Sequence, residues 1–214
     1  MSILFALPFL QVCPDEKTFQ NSMKNIIAYM KKMCPEISDT TIAQLSSYLT
    51  PYTFPKKYQL IKEGVFCKAA YFIEKGITRS FWLVDGEEFT TSFSTEGGIV
   101  FSMDELYFGK RSEEFVETIE DVEVYKIQIK DLLYLFETNI ELANWGRIIH
   151  QYEYRRIHQT HKERLTLSAR DRYEQMQLQF PEVCQRANLG FIASYLGITL
   201  PTLSRIRAAE TVGF

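Results

Sequence analysis

The chain has 214 residues, enough for one large domain or two small ones, and its 46% hydrophobic and 24% charged residues exclude a disordered or fibrous protein. The longest apolar run, residues 3–10, is interrupted by Pro8 and falls far short of the roughly 20 residues that span a bilayer. It lacks a basic leader and a small-residue cleavage motif, so a cytoplasmic protein with no membrane partner is expected. The net charge of −3 hides an asymmetry: residues 147–214 carry ten Lys/Arg against six Asp/Glu, and residues 1–146 carry fourteen against twenty-one. A basic C-terminal part is a pointer to nucleic acid.

Residues 1–19 fit no recognisable element. From Phe19 the apolar positions Phe19, Met23, Ile26, Ile27 and Met30 recur at the spacing of one helix face, and Pro35 ends the run. A second short helix is expected, capped by Ser38 or Asp39, with Ile42, Leu45 and Leu49 as its buried stripe and Pro51 closing it. The texture then changes to short β-branched and aromatic runs at 58–61, 70–73, 77–84, 89–93, 99–101, 115–118 and 122–127. Gly64, Gly76, Asp85-Gly86 and Gly97-Gly98 separate several of them, at steps of 12, 10 and 11 residues. Such punctuation predicts antiparallel strands, and Asp-Gly favours a hairpin whose twist suits them. Residues 50–128 therefore read as one small barrel-like β unit.

A short helix is predicted over 131–137 and a long one from 139 to about 163. Apolar Ile140, Trp145, Ile148, Ile149, Tyr152 and Ile157 recur along the latter at three- and four-residue steps. This stripe packs either on its own barrel or on the same helix of a second chain, with Arg155 and Arg156 interrupting it near its end. Trp145, Ile148, Ile149 and Tyr152 are the residues expected to join two copies. A helix over 168–179 follows, with Tyr173, Met176 and Phe180 apolar. Pro181 is expected to end it before two further short helices.

Those last helices carry the most informative residues. Ile192, Ala193 and Leu196 give the first an inward face, and Gly197 supplies the positive φ that a helix–turn–helix corner needs. Thr199 is a natural cap for the second helix, and Pro201 falls in its first turn, where a missing N–H is harmless. Leu203 and Ile206 return to the core, which leaves Leu200, Thr202, Ser204, Arg205 and Arg207 outside. Hydroxyls and arginines on the N-terminal part of a helix suit phosphates and guanine edges in the DNA major groove. The plainer alternative is a helical hairpin with a solvated basic face.

The segment IASYLGITLPTLSRIR (192–207), the glycine spacing of the β unit and the long helix between them resemble the Crp/Fnr superfamily of bacterial transcription regulators. The resemblance runs from about residue 38 to 209. It includes YQLIKEGVFCKAAYFIEKGITRSFWLV (58–84), which is similar to the opening strands of a cyclic-nucleotide-binding roll. Residues 169–173 followed by Pro181 resemble the helix that leads into the DNA domain of Bacteroidetes-type members. The fold class implied is α+β: an N-terminal antiparallel, jelly-roll-like β-roll with flanking helices, a long connecting helix and a C-terminal helix–turn–helix domain. The corresponding boundaries are 1–37 for an extension and helix, 38–138 for the sensor roll, 139–163 for the dimerisation helix and 164–214 for DNA binding.

The resemblance also implies a homodimer on a palindromic double-stranded DNA site. By position, Thr199 and Thr202 match phosphate contacts, and Arg205 matches the base-reading arginine. The arginine and glutamate usual early in that helix are Leu200 and Pro201 here, so base reading narrows to Arg205, Ser204 and Arg207, with Leu200 set to touch a thymine methyl. Only residues 210–214 follow Ala209, too few for the strand hairpin that forms a wing in many members.

The sensor departs further. Cyclic-nucleotide binders hold the ribose with a Gly-Glu pair and the phosphate with an Arg-Ser pair. The matching positions hold Phe101-Ser102 and Ser112-Glu113, with Arg111 one residue away. Phe101, Ser102, Arg111 and Ser112 are thus the expected effector pocket, for an unknown small molecule. Glu113, Glu114 and Glu117 crowd the region with negative charge, which disfavours a cyclic phosphate.

No cofactor or metal is expected. His150, His158 and His161 all lie beyond the roll, and Cys13, Cys34, Cys67 and Cys184 are 21, 33 and 117 positions apart, without metal-ligand or redox spacing. An enzyme is disfavoured, since no Ser/His/Asp set, phosphate-binding glycine loop or metal cluster emerges. The competing readings are a DNA-binding regulator and a ligand-sensing roll whose DNA contact is vestigial.

Overall fold

A computed structural model describes residues 23–211. Phe19, Cys13 and the apolar run at 3–10 lie outside the described residues. Two helices come first, α1 (Lys24–Met33) and α2 (Asp39–Ser46), the second capped by the Ser38 hydroxyl as its sequence predicts. Strands β1 (Thr50–Phe54), β2 (Gln59–Ile61), β3 (Ala69–Lys75), β4 (Thr78–Val84), β5 (Glu87–Ser94), β6 (Ile99–Val100), β7 (Phe115–Thr118) and β8 (Val122–Gln128) follow. They form two antiparallel four-stranded sheets, ordered β1-β8-β3-β6 and β2-β7-β4-β5. A short helix, α3 (Met103–Phe108), sits between β6 and β7. The strand β1 is a correction: Pro51 does not merely close α2 but lies in an edge strand, where proline is tolerated.

The strand β3 explains why its segment reads as a continuous apolar run. Ala69, Tyr71 and Ile73 face the roll interior with Val100, Val116 and Val124. Ala70 and Phe72 face outward, yet are covered by α1, α2 and the helices α4 (Ile129–Thr138) and α5 (Ile140–Thr166). Buried on both faces, the strand has no polar alternation to show. The helix α1 has no side-chain cap of its own; the buried Glu74 carboxylate accepts the N–H groups of Asn25 (3.0 Å) and Ile26 (3.2 Å) and so caps it from β3. At Gly97 (φ +84°) a Cβ would come within 2.5 Å of the Tyr29 Cβ, so glycine permits both the turn and the approach of α1.

Beyond α5 come α6 (Ala169–Gln179), α7 (Pro181–Arg186), α8 (Leu189–Leu196) and α9 (Leu200–Thr211). Pro181 therefore does more than end α6. It opens a helix of its own, at the first position where proline is favourable, and three helices follow instead of two.

The long helix carries a second correction. Trp145 is buried at 1% exposure, stacked on Phe72 at 5.9 Å, and Ile149 is buried with it in the core beneath α1 and α2. Ile148 is partly buried against the same core. Of the four residues expected to join two copies, only Tyr152 is exposed. The stripe is real, but its upper part belongs to the chain's own roll.

Candidate nucleic-acid interface and the adjoining groove

The C-terminal helices pack round Tyr173, Met176, Val183, Ile192, Ala193, Leu196 and Leu203, all buried. Gly197 ends α8 at φ +65°, and the Ile198 N–H reaches back to the Ala193 carbonyl at 3.0 Å. No atom crowds Gly197, so its glycine is required by conformation alone. The chain then turns through 102° into α9, within the range of a helix–turn–helix. The Thr199 hydroxyl accepts the Thr202 N–H at 3.3 Å and lies 2.9 Å from the Thr202 hydroxyl.

The predicted reading residues divide clearly. Leu200, Ser204, Arg205 and Arg207 are exposed on α9, Thr199 is exposed at its start, and Thr202 is half-buried. Arg205 folds along its own helix, its Nε donating to the Pro201 carbonyl (3.4 Å) and its Nη2 to the Thr202 hydroxyl (3.4 Å). These bonds are long and exposed, so moving the guanidinium to another acceptor costs little.

The roll holds this module through the β4–β5 ribbon. Arg79 is buried and lies between two rings, 4.2 Å from the Phe81 centroid and 3.7 Å from that of Phe191. Its guanidinium donates to Glu88 (2.5 Å) and Glu117 (2.6 Å). On α8 the Ser194 hydroxyl accepts the Thr90 N–H (2.8 Å) and donates to the Glu88 carbonyl (3.1 Å). Arg186 of α7 bonds Glu96 (2.8 Å) and Glu120 of the roll. Those carboxylates hold the Arg186 proton above the ordinary arginine range, and Arg186 in turn keeps Glu96 below the ordinary carboxylate range against the opposing effect of burial. None of these contacts was readable from the sequence, because Arg79 sits in a strand pattern that gives no sign of a partner 112 positions away.

A groove of about 1040 Å³ opens between the roll, α5 and the C-terminal helices. Trp82, Phe89, Phe101, Glu114 and His150 are among its lining. Of the predicted effector residues, Phe101 alone lines it. Ser102 is buried as the cap of α3, bonding the Glu105 N–H; Ser112 is buried and bonded to its neighbour Glu114; exposed Arg111 reaches the Gly64 carbonyl at 3.3 Å. The reason is local: α3 is anchored by its own acids. Asp104 accepts the Glu113 N–H (2.9 Å), and Glu105 accepts those of Cys67 and Lys68 (2.8 Å each). In the sequence Glu114 stands out only for its charge. Burial, with Asp104 nearby, pushes its carboxyl from the usual 4.5 up to about 7.

No protein-family model and no curated protein matches the chain. Solved structures do. FixK2 from Bradyrhizobium japonicum superposes with a TM-score of 0.66 at 20% identity, over 77% of this chain and 85% of its own. The c-di-GMP-responsive global regulator CLP of Xanthomonas campestris gives 0.63 at 16%, over 82% and 92%. The catabolite activator protein of Thermus thermophilus gives 0.52 at 18%, over 83% and 85%. The two-sheet roll, long helix and C-terminal helices of this chain are thus the fold of the Crp/Fnr regulators.

Proposed function

We propose that the chain is a DNA-binding transcription regulator of the Crp/Fnr type and not an enzyme, with residues 38–138 as sensor, the long helix as dimer element and residues 164–214 as DNA reader. The observation that carries this reading is the 102° turn at Gly197, which leaves a helix bearing Ser204, Arg205 and Arg207 exposed beyond a packed supporting helix. A helix so presented enters the major groove, and an arginine there bonds guanine at two points.

A palindromic site follows from a homodimer about α5. Its seam is the exposed line of Tyr154, Ile157 and Leu165, which fall on one side of the helix at 3.6 residues per turn. Trp145 and Ile149 have no part in it. Cyclic AMP is not the effector. Around α3 the backbone N–H groups of Cys67, Lys68 and Glu113 already bond Glu105 and Asp104, and Arg111 bonds the Gly64 carbonyl, which leaves few donors there for a phosphate.

Replacing Arg205 by Ala should weaken binding to the preferred site by tenfold or more, about 1–3 kcal/mol for a lost base contact, and leave the melting temperature unchanged. Fluorescence anisotropy with a labelled duplex reads the first, thermal denaturation the second. If neither Arg205→Ala nor Arg207→Ala weakens binding, α9 is not the reading helix.

A further inference from the structure

The roll end of the groove contains a charge without a counter-ion. Among the described residues the Glu114 carboxylate has no hydrogen-bond or ion-pair partner, and its charged neighbour, Asp104, has the same sign. The other acids lining the groove are paired: Glu96 and Glu182 with Arg186, Glu153 with Arg156. The lining cations stand elsewhere. Arg156 is held by Glu153 and the Tyr195 hydroxyl, Arg164 by the Tyr195 carbonyl, and Lys32 is exposed on α1. A partly buried carboxylate left unpaired is unfavourable, and it is relieved either by a proton, as burial of Glu114 favours, or by a cation brought to it.

Two further features accompany it. The rings of Trp82 and Phe89 face the same groove at 52% and 44% exposure, large apolar surfaces that the described residues leave uncovered. Between the pairs Ser80↔Ser92 and Phe81↔Thr90 the ladder slips by one residue, so Thr91 is a bulge. Its Oγ1 is buried with no hydrogen-bond partner among the described residues. An uncovered aromatic pair, an orphaned hydroxyl and an unanswered carboxylate thus line one groove.

We propose that this groove binds a small organic cation with an apolar body, an ammonium compound whose charge is met by Glu114 and whose body lies on Trp82 and Phe89. Aromatic faces attract such cations, and the attraction strengthens once water is excluded. The backbone N–H groups of Cys67, Lys68 and Glu113 are spent on Glu105 and Asp104, so none of these three is left for an anion beside Glu114. The inference rests on reading the groove as the sensor site of the regulator proposed above, and it gives that sensor a ligand class.

Calorimetric titration of the full chain, without DNA, tests it with phenethylamine, choline, the neutral 2-phenylethanol and cyclic AMP. Phenethylamine should bind at least tenfold more tightly than 2-phenylethanol. Glu114→Gln should abolish that preference and leave the weak binding of the alcohol as it was, while Trp82→Ala should weaken phenethylamine and choline alike. Thermal melting of both variants confirms that they fold. The proposal is overturned if neither amine binds, if Glu114→Gln leaves the preference intact, or if cyclic AMP binds more tightly than the amines. It is overturned equally if no amine binds and Glu114→Gln lowers dimer affinity in sedimentation, since a second copy then supplies the counter-ion. DNA is absent from the titration, so its failure leaves the DNA-binding result standing, and the reverse also holds.

Discussion

The ribbon β4–β5 is one piece of chain with two different environments. One set of its residues, Arg79, Phe81, Glu88 and Thr90, is closed against α8, with a buried guanidinium between two rings and two carboxylates. Another set, including Trp82 and Phe89, is open to the groove, with rings about half exposed and a carboxylate unanswered nearby. The closed set is satisfied within the fold, and the open set is not. In a pleated strand neighbouring residues point oppositely, so the ribbon that carries Trp82 and Phe89 on one face bonds Ser194 of α8 through the backbone of Glu88 and Thr90. The proposed ligand site and the proposed DNA-reading module therefore share a support only one strand thick.

Breaking the closed set should have the largest effect. Arg79→Met leaves the half-buried Glu117 without its partner; losing one member of a fully buried pair costs about 3–5 kcal/mol, and the partial exposure of Glu117 puts the loss toward the lower end. The midpoint of denaturant unfolding should drop accordingly, and proteolysis should release the C-terminal helices before the roll. Equal loss in both regions would mean that Arg79 serves the roll alone. Gly197→Ala comes next. An L-residue in the left-handed region costs about 1–2 kcal/mol, and because nothing crowds the site the loss should be purely conformational. Asparagine at the same position should recover part of it.

Smaller effects sharpen the open set. The folded-state pKa of Glu114 is raised from 4.5 to about 7. The sign follows from linkage: the folded protein holds the proton more tightly, so its contribution is complete below pH 4.5 and is lost as the pH rises through about 7. The melting temperature should fall across that window, and Glu114→Gln should flatten the fall. The smallest effect is that of Ser194→Ala, which removes two hydrogen bonds between α8 and the ribbon at about 1 kcal/mol. It should reduce hydrogen-exchange protection at the Thr90 amide while leaving the roll core unchanged.

The helix–turn–helix was legible because its demands are local. A positive φ at Gly197, a cap at Thr199, proline in a first turn and buried Leu203 each follow from neighbours a few residues away, and the structure has each of them. The sheet strands were legible from their turns, apart from β1, whose Pro51 disguised an edge. The long helix was legible as a helix but not in its partners. Trp145 shows an apolar stripe to any reader, and only the tertiary fold shows that Phe72 takes it. The groove was least legible. Its position follows from strands far apart in sequence, and Glu114 differs from Glu113 only by which way a short loop turns.

Whether two α9 helices read DNA together is decided by selecting bound fragments from the source genome with the purified, unliganded chain at two salt concentrations. Enrichment of an inverted repeat that persists at the higher salt is expected, with the two-fold symmetry of a dimer presenting two α9 helices. Weak binding that shares no sequence and disappears with salt would contradict it, for it would leave only the sequence-independent attraction of basic residues to phosphate.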